Sequence, residues 1–359
     1  MNSALSMLAS GLPRLSRASR WSMHDALELS VTGDSGAALP LRAWRLNGRG
    51  DGPSVHLQAG LHADEIAGMH VLHTLLPRLR EAQESGRLAG TVTVVPQANP
   101  LGLGQFRHGR LLGRFHDATS RNFNRHFHES IAMEREPGTF AAWQKALFAL
   151  ASEAQIVLDL HTDSEALPYL YVHEGFWPEA SDLAAALSAE VAVVWGDDDD
   201  GAFEGAIVER GRREPHAGLL LAATIELRGQ SDVSDALAQR DADGIYRFLC
   251  ARGVVDERVE HMGWEGEAVP IGNMETIFAP VAGVLVYSCE LGERVAQGQT
   301  IARIVARPGD PSSEVAMRAP QSGRIVTRNR DRLIAQGDVA IKMTGSKPSG
   351  SWGGGALDP

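Results

Sequence analysis

Two different metal donors stand three residues apart in Gly60-Leu61-His62-Ala63-Asp64-Glu65. At that spacing an imidazole and a carboxylate can point to one side of a single turn and share one divalent cation. Zn²⁺ accepts both donor types, and a catalytic zinc usually takes three protein ligands and keeps one position for water. A plainer reading makes His62 a polar loop residue and Glu65 an acid that suits a helix N-terminus. A third donor would separate these readings. His161 offers one, directly after the apolar run Gln155-Ile156-Val157-Leu158-Asp159-Leu160. Glu226 stands near the end of another such run, Gly218 to Leu227.

These residues need elements that carry them to one place. Val55 to Ala59 alternates apolar and polar residues like a strand, Gly60 turns the chain, and Ile66, Met69, Leu72, Leu75, Leu76 and Leu79 follow at helical spacing. Leu27 to Leu46 suggests a hairpin around Gly33-Asp34-Ser35-Gly36. Thr91 to Val95, ended by Pro96, is a second core strand. Asn99 to about Glu136 is a long polar segment, which is usually functional or disordered. Helices are expected over Phe140 to Ala151, Ala180 to Leu187 and Asp232 to Leu249, and strands over Tyr169 to Val172 and Val191 to Trp195. The acidic run Asp197 to Asp200 reads as a solvated loop face. Strands alternating with helices imply an α/β unit with a largely parallel sheet. Ligands of such sheets bind beyond the carboxyl ends of the strands, where His62, Glu65, His161 and Glu226 could all meet.

After Gly253 helical periodicity disappears. Ala279-Pro280-Val281-Ala282-Gly283-Val284-Leu285-Val286 and Ala319-Pro320-Gln321-Ser322-Gly323-Arg324-Ile325-Val326 share A-P-x-x-G followed by a strand. This repeat implies a small pseudo-symmetric all-β domain. The expected organisation is an N-terminal extension over 1–25, an α/β unit over 26–255, the all-β domain over 256–345, and a disordered tail over 346–359, rich in Gly, Ser and Pro.

The 359 residues carry a formal charge of -11, which argues against general binding to nucleic acid. No apolar run approaches the ~18–20 residues of a membrane span, and the charges of Met1 to Arg20 do not fit a secretion signal. Cys250 and Cys289 are the only cysteines, so a disulfide scaffold is not expected and a reducing, cytoplasmic setting is.

Gly60-Leu61-His62-Ala63-Asp64-Glu65, Asn99-Pro100, Asn122-Phe123-Asn124-Arg125, Asp159-Leu160-His161 and Ile225-Glu226 occur in the order seen in the succinylglutamate desuccinylase/aspartoacylase family, which the chain resembles over roughly residues 50 to 250. The resemblance implies a zinc-carboxypeptidase-like mixed sheet flanked by helices, with a smaller C-terminal barrel-sandwich domain that restricts access to the cleft. It implies one Zn²⁺ held by His62, Glu65 and His161, with Glu226 as general base. Asn124 and Arg125 match the pair that holds a substrate carboxylate. Arg114 matches the arginine that steadies the polarised carbonyl, with Arg107, Arg110 and Arg121 as nearby competitors. The implied substrate is a small N-acylated amino acid bearing a carboxylate, and a homo-oligomer would be ordinary for such an enzyme.

Two other functions compete. A metallocarboxypeptidase would trim peptide C-termini with the same metal set, and a homologue without catalysis would use the fold for recognition alone. Asp159 could orient His161 or merely bond at a strand end. Tyr287 or an arginine of the β-domain could reach the substrate. No lysine follows the turns where carrier domains of this shape are modified, so carrier function is not expected. The acyl pocket is expected in loops such as Asp163 to Gly175 and Gly196 to Gly211.

Overall fold

The computed structural model describes residues 26–133, 138–197, 201–215, 218–260, 263–350 and 357. The expected N-terminal extension and three residues of the acidic run, 198–200, lie outside them. Strands β1 (Ala26–Thr32) and β2 (Ala38–Asn47) form the expected hairpin, and β3 (Ser54–Ala59) leads into the Gly60 turn and helix α1 (Ala67–Glu84). β4 (Thr91–Val95) and α2 (Pro100–Leu103) follow. The long polar segment then folds into the small hairpin β5 (Phe106–Arg107) and β6 (Arg110–Leu111) and the short helix α3 (Phe127–Ala132). Next come α4 (Thr139–Ala151), β7 (Ile156–Asp163), β8 (Glu165–Ala166), β9 (Tyr169–His173), α5 (Ser181–Ala186), β10 (Val191–Trp195), α6 (Phe203–Arg213), β11 (Leu221–Gly229) and α7 (Asp235–Ala251). Helix α6 occupies much of the stretch expected to be a loop. Glycines at 205 and 211 break up its pattern in sequence, yet its apolar face buries Phe203, Ala206, Ile207 and Val208.

A nine-stranded sheet organises this part. Its order is β1-β2-β4-β3-β7-β11-β9-β10-β12, with β12 spanning Glu267–Pro270. The sheet is mixed, as the family resemblance implies, and most of its neighbouring strands run parallel, as the alternation of strands and helices implies. β3, β4, β7 and β11 run parallel to their neighbours in the centre, while β2 pairs antiparallel with β4 and β9 antiparallel with β11. The chain reverses between β2 and β3 and again between β7 and β9, where the connections are shorter than the dozen or more residues a parallel crossover needs. One layer of the core packs α1, α5 and α7 on the sheet through Leu72, Leu75, Leu79, Ile245 and Leu249. The other packs α4 and α6 through Phe140, Trp143, Leu147, Phe203 and Ile207. Ile66 does not join the apolar stripe. It caps α1 and is exposed, and Val71 takes the expected buried place.

The remaining strands are β13 (Glu275–Phe278), β14 (Gly283–Tyr287), β15 (Arg294–Val295), β16 (Thr300–Val305), β17 (Glu314–Arg318), β18 (Gly323–Arg328), β19 (Leu333–Ile334) and β20 (Val339–Met343). They form two antiparallel sheets around a common core of Leu285, Ile301, Ile304, Ile325 and Ile341. The repeated glycines open equivalent strands, β14 and β18, because neither position has room for a Cβ. An added carbon would lie 2.5 Å from Val305 O at Gly283 and 1.8 Å from Thr344 O at Gly323.

Two joins tie this part to the large sheet. β12 extends the nine-stranded sheet beside β10, and β8, immediately after β7, pairs antiparallel with β18. The tail expected to be disordered is held at several described points. Ser346 N–H donates to Gln321 Oε1, Ser349 N–H donates to Gly272 O, and Leu357 is buried. No described helix is long and apolar enough to cross a membrane.

Candidate metal centre

His62 and Glu65 leave the end of β3 together, and close packing fixes where they arrive. Gly60 takes φ +70°, a left-handed conformation that glycine adopts without penalty. Gly68, in the first turn of α1, lies against the sheet so closely that a Cβ would come within 2.8 Å of Leu160 Cβ. His161 sits on β7 beside Glu226 on β11, and a register shift follows at Glu226 to Gly229. Both residues lie within the observed strands and not beyond their ends, because β7 and β11 run on to Asp163 and Gly229.

The three expected donors converge. One ligand atom from each of His62, Glu65 and His161 lies within 4.8 Å of the others, and all three residues are buried. His62 Nδ1 is 2.9 Å from Glu65 Oε1, and His161 Nδ1 is 2.9 Å from Glu65 Oε2. His62 Nε2 has a partner of its own, Asn122 Oδ1 at 2.8 Å, and His161 Nε2 lies 3.0 Å from Asp159 Oδ2, a charge pair without hydrogen-bond alignment. At His62 the acceptor at Nε2 favours the tautomer that leaves the Nδ1 lone pair for a cation, the usual arrangement behind metal-ligating histidines. The Thr162 N–H donates to Glu65 Oε2 at 3.0 Å and orients the carboxylate. Two imidazoles and a carboxylate, oriented from behind, fit a zinc ion by donor type.

The electrostatics follow from burial and close charges. Burial opposes the charge on Glu65, but His62 and His161 outweigh it and hold its carboxyl well below the usual range. Burial lowers the His62 pKa. Burial also opposes charge on His161, yet Asp159 and Glu65 together raise its pKa well above the ordinary value. Burial pushes Glu226 well above the usual carboxylate range, and the nearby Glu65 charge adds to the effect. Glu226 Oε2 is enclosed with no hydrogen-bond partner among the described residues. Such an atom points to a missing polar partner at the centre of the site.

A cavity of about 460 Å³ opens over these groups, and Arg114, Asn124 and Arg125 also line it. Gly113 delivers Arg114. Its carbonyl accepts the Ala63 N–H at 2.9 Å, and a Cβ there would lie 2.2 Å from Asp64 N. The Arg114 guanidinium then reaches Glu65 Oε1 at 3.2 Å. Its competitor Arg107 instead pairs with Asp117 at 2.9 Å, and Arg110 is exposed on β6. Asn124 uses Oδ1 to accept the Phe203 N–H at the start of α6, so its amide nitrogen is the end left to face a ligand. Arg125 donates to the Asn124 carbonyl at 2.8 Å.

Several contributors were not singled out from sequence. Asn122 was visible inside the Asn122-Phe123-Asn124-Arg125 run, but only the later two residues drew a role. Glu204, on α6, lines the cavity and accepts from Thr224 Oγ1 at 2.7 Å and Trp195 Nε1 at 3.0 Å. Lys342, on β20, also lines the cavity, and its Nζ lies 2.8 Å from Asp163 Oδ2. Arg328 and Arg330 line it too. Tyr287 does not. Its hydroxyl donates to backbone carbonyls of Asn329 and Ala340, with the Arg328 and Arg332 guanidinium groups near its ring.

Comparison with known proteins gives four concordant findings. Residues 51–252 match the model of the succinylglutamate desuccinylase/aspartoacylase catalytic domain. The N-alpha-acetyl-L-2,4-diaminobutyric acid deacetylase of Halomonas elongata is 26% identical over 337 residues, 88% of this chain and 89% of the relative. A crystal structure of a family protein from Shewanella amazonensis superposes with a TM-score of 0.77 at 25% identity, covering 89% of this chain and 98% of that one. The product-bound ectoine utilization protein EutE of Ruegeria pomeroyi shares the fold with a TM-score of 0.69 at 21% identity, over 89% of this chain and 93% of that one.

Proposed function

Because the chain belongs to the succinylglutamate desuccinylase/aspartoacylase family, a family of deacylases, we propose that it is a zinc-dependent hydrolase of the amide bond in a small N-acyl amino acid. The observation that carries this reading is the meeting of His62 Nδ1, His161 Nδ1 and the Glu65 carboxylate beside Glu226 in one cavity. His62, Glu65 and His161 would hold the ion. When bound, zinc supplies a Lewis acid for the scissile carbonyl and lowers the pKa of a coordinated water.

The side chains divide the remaining work. Glu226 takes the proton of the attacking water and passes it to the leaving nitrogen as the carbon–nitrogen bond breaks, giving a carboxylic acid and an amine. Arg114 supplies positive charge where the carbonyl oxygen becomes anionic. Arg125, with its planar fork of donors, grips the substrate carboxylate, and the Asn124 amide nitrogen assists. Residues 26–255 form the catalytic unit in this reading, and 256–345 narrow its mouth. That narrowing favours a small amide over the peptide C-terminus that a metallocarboxypeptidase would need to admit.

Glu226→Gln tests the assignment. The variant should bind zinc with the wild-type stoichiometry while amide turnover falls about 10²–10⁴-fold. Undiminished turnover would remove Glu226 from proton transfer. Zinc analysis of the intact chain, together with a panel of N-acetyl and N-succinyl amino acids and short peptides, tests the reaction class itself.

A further inference from the structure

Resting on this reading, we propose that Leu357 forms an apolar wall of the substrate cavity and limits the size of the apolar group that a substrate can carry there. The residue comes from a tail otherwise made mainly of Gly, Ser and Pro. Only 7% of it is exposed, and it packs with Tyr169, Val191, Val193, Val269 and Ile271. The same side chain lines the cavity that holds His161 and Glu226.

Earlier in the same tail, Ser349 N–H donates to Gly272 O at 2.8 Å and its hydroxyl donates to Glu275 Oε2 at 2.5 Å, which holds Ser349 next to Ile271. Tyr171 and Ile271 share an apolar cluster with Leu357 and line the cavity with it, while Arg114 and Arg125 bring positive charge to the same lining. The lining therefore offers apolar surface as well as charge. A carboxylate held by Arg125 leaves the apolar remainder of the substrate to meet surface such as Leu357. Tight packing there discriminates by volume, because a single methylene in a close-fitting apolar pocket changes specificity by about tenfold or more.

Two measurements on the full-length protein test the proposal, with a version truncated after Gly350 as a third arm. The first compares kcat/KM across one substrate series that lengthens the acyl chain and another that lengthens the amino-acid side chain. In Leu357→Ala and in the truncated protein, the preference for short over long members should fall by about tenfold in at least one series. An unchanged preference in both series overturns the proposal.

The second measurement does not depend on turnover. Cys250 and Cys289 are buried, and burial pushes both thiols up to about 11, so they react slowly. A thiol at Leu357→Cys should label about tenfold or more slowly than one at the exposed Lys347→Cys, since only the first is covered by packing. Equal rates overturn the placement of Leu357, even if the intact chain hydrolyses every amide offered. Slow labelling in a chain that hydrolyses none would keep Leu357 buried where the structure places it and instead sink the amide-hydrolase reading.

Discussion

The cavity has two walls of different construction. On the side of the large sheet, functional groups hold one another: Glu65 bridges both histidines, and Asn122 and Asp159 brace them from behind. On the side of the C-terminal strands, opposite charges meet across a seam, with Lys342 on Asp163, Arg328 and Arg332 on Glu165, and Arg324 on Glu190. The first wall has the donors and bracing to hold one small ion. The second positions a surface, and its interactions tolerate exchange because most are partly solvated and individually weak. In the proposed function, chemistry falls to the first wall and selection to the second.

Substitutions can break or sharpen that contrast. The largest effect is expected at His161→Ala, which should abolish stoichiometric zinc binding and lower turnover about 10³-fold or more, since Lewis-acid stabilisation is worth several kcal/mol. Metal analysis and kinetics on the same preparation check it; full zinc content would place the ion elsewhere. Asn122→Ala leaves the ligands intact but removes a brace. Zinc affinity should weaken about 10–100-fold, read by competition with a chelator, and an unchanged affinity would mean that the bond to His62 orients nothing.

Across the seam, Lys342→Met should cost stability more than turnover. The ammonium is almost fully buried, and its loss leaves the Asp163 charge with only the Tyr169 hydroxyl and the Ser164 N–H as partners among the described residues, a defect of about 3 kcal/mol in denaturant unfolding. A loss of turnover with no loss of stability would move Lys342 into the chemistry and blur the division between the walls.

The smallest effect concerns Asp64, whose carboxyl burial pushes up to about 6. In chelator-treated protein the folded state then holds this proton more tightly than the unfolded chain does. Stability is therefore greatest below the unfolded pKa of about 3.9 and declines as pH rises through about 6. Asp64→Asn should raise the melting temperature at pH 7.5 and leave it nearly unchanged at pH 4. A gain of equal size at both pH values would show that ionisation is not the cause.

Much of the first wall was legible because its residues lie close in sequence to strand ends and to one another. His62 and Glu65 share a turn, and Asp159 and His161 share a strand, so alternation and spacing placed them. The second wall was harder to read. Lys342 looks like an ordinary strand residue, and only the pairing of β20 with β18, and of β18 with β8, brings it over Asp163. Glu204 was hidden because glycines blurred the helical pattern of α6. Composition said little of the tail: Gly, Ser and Pro imply disorder, while the described Ser349 and Leu357 find partners or burial that only the folded chain supplies, and 351–356 and 358–359 lie outside the described residues. The mixed strand directions came from the family motifs alone, since periodicity identifies a strand but not the way its neighbour runs.

The short ladder between Glu165–Ala166 and Thr327–Arg328 has a consequence for traffic through the cavity. It begins two residues after Asp163 and four after His161, so an outward swing of the C-terminal strands would pull on the strand that carries His161. We expect entry and exit to use a mouth of nearly constant outline. Turnover should then respond to the dimensions of what passes through and not to the pace of a hinge.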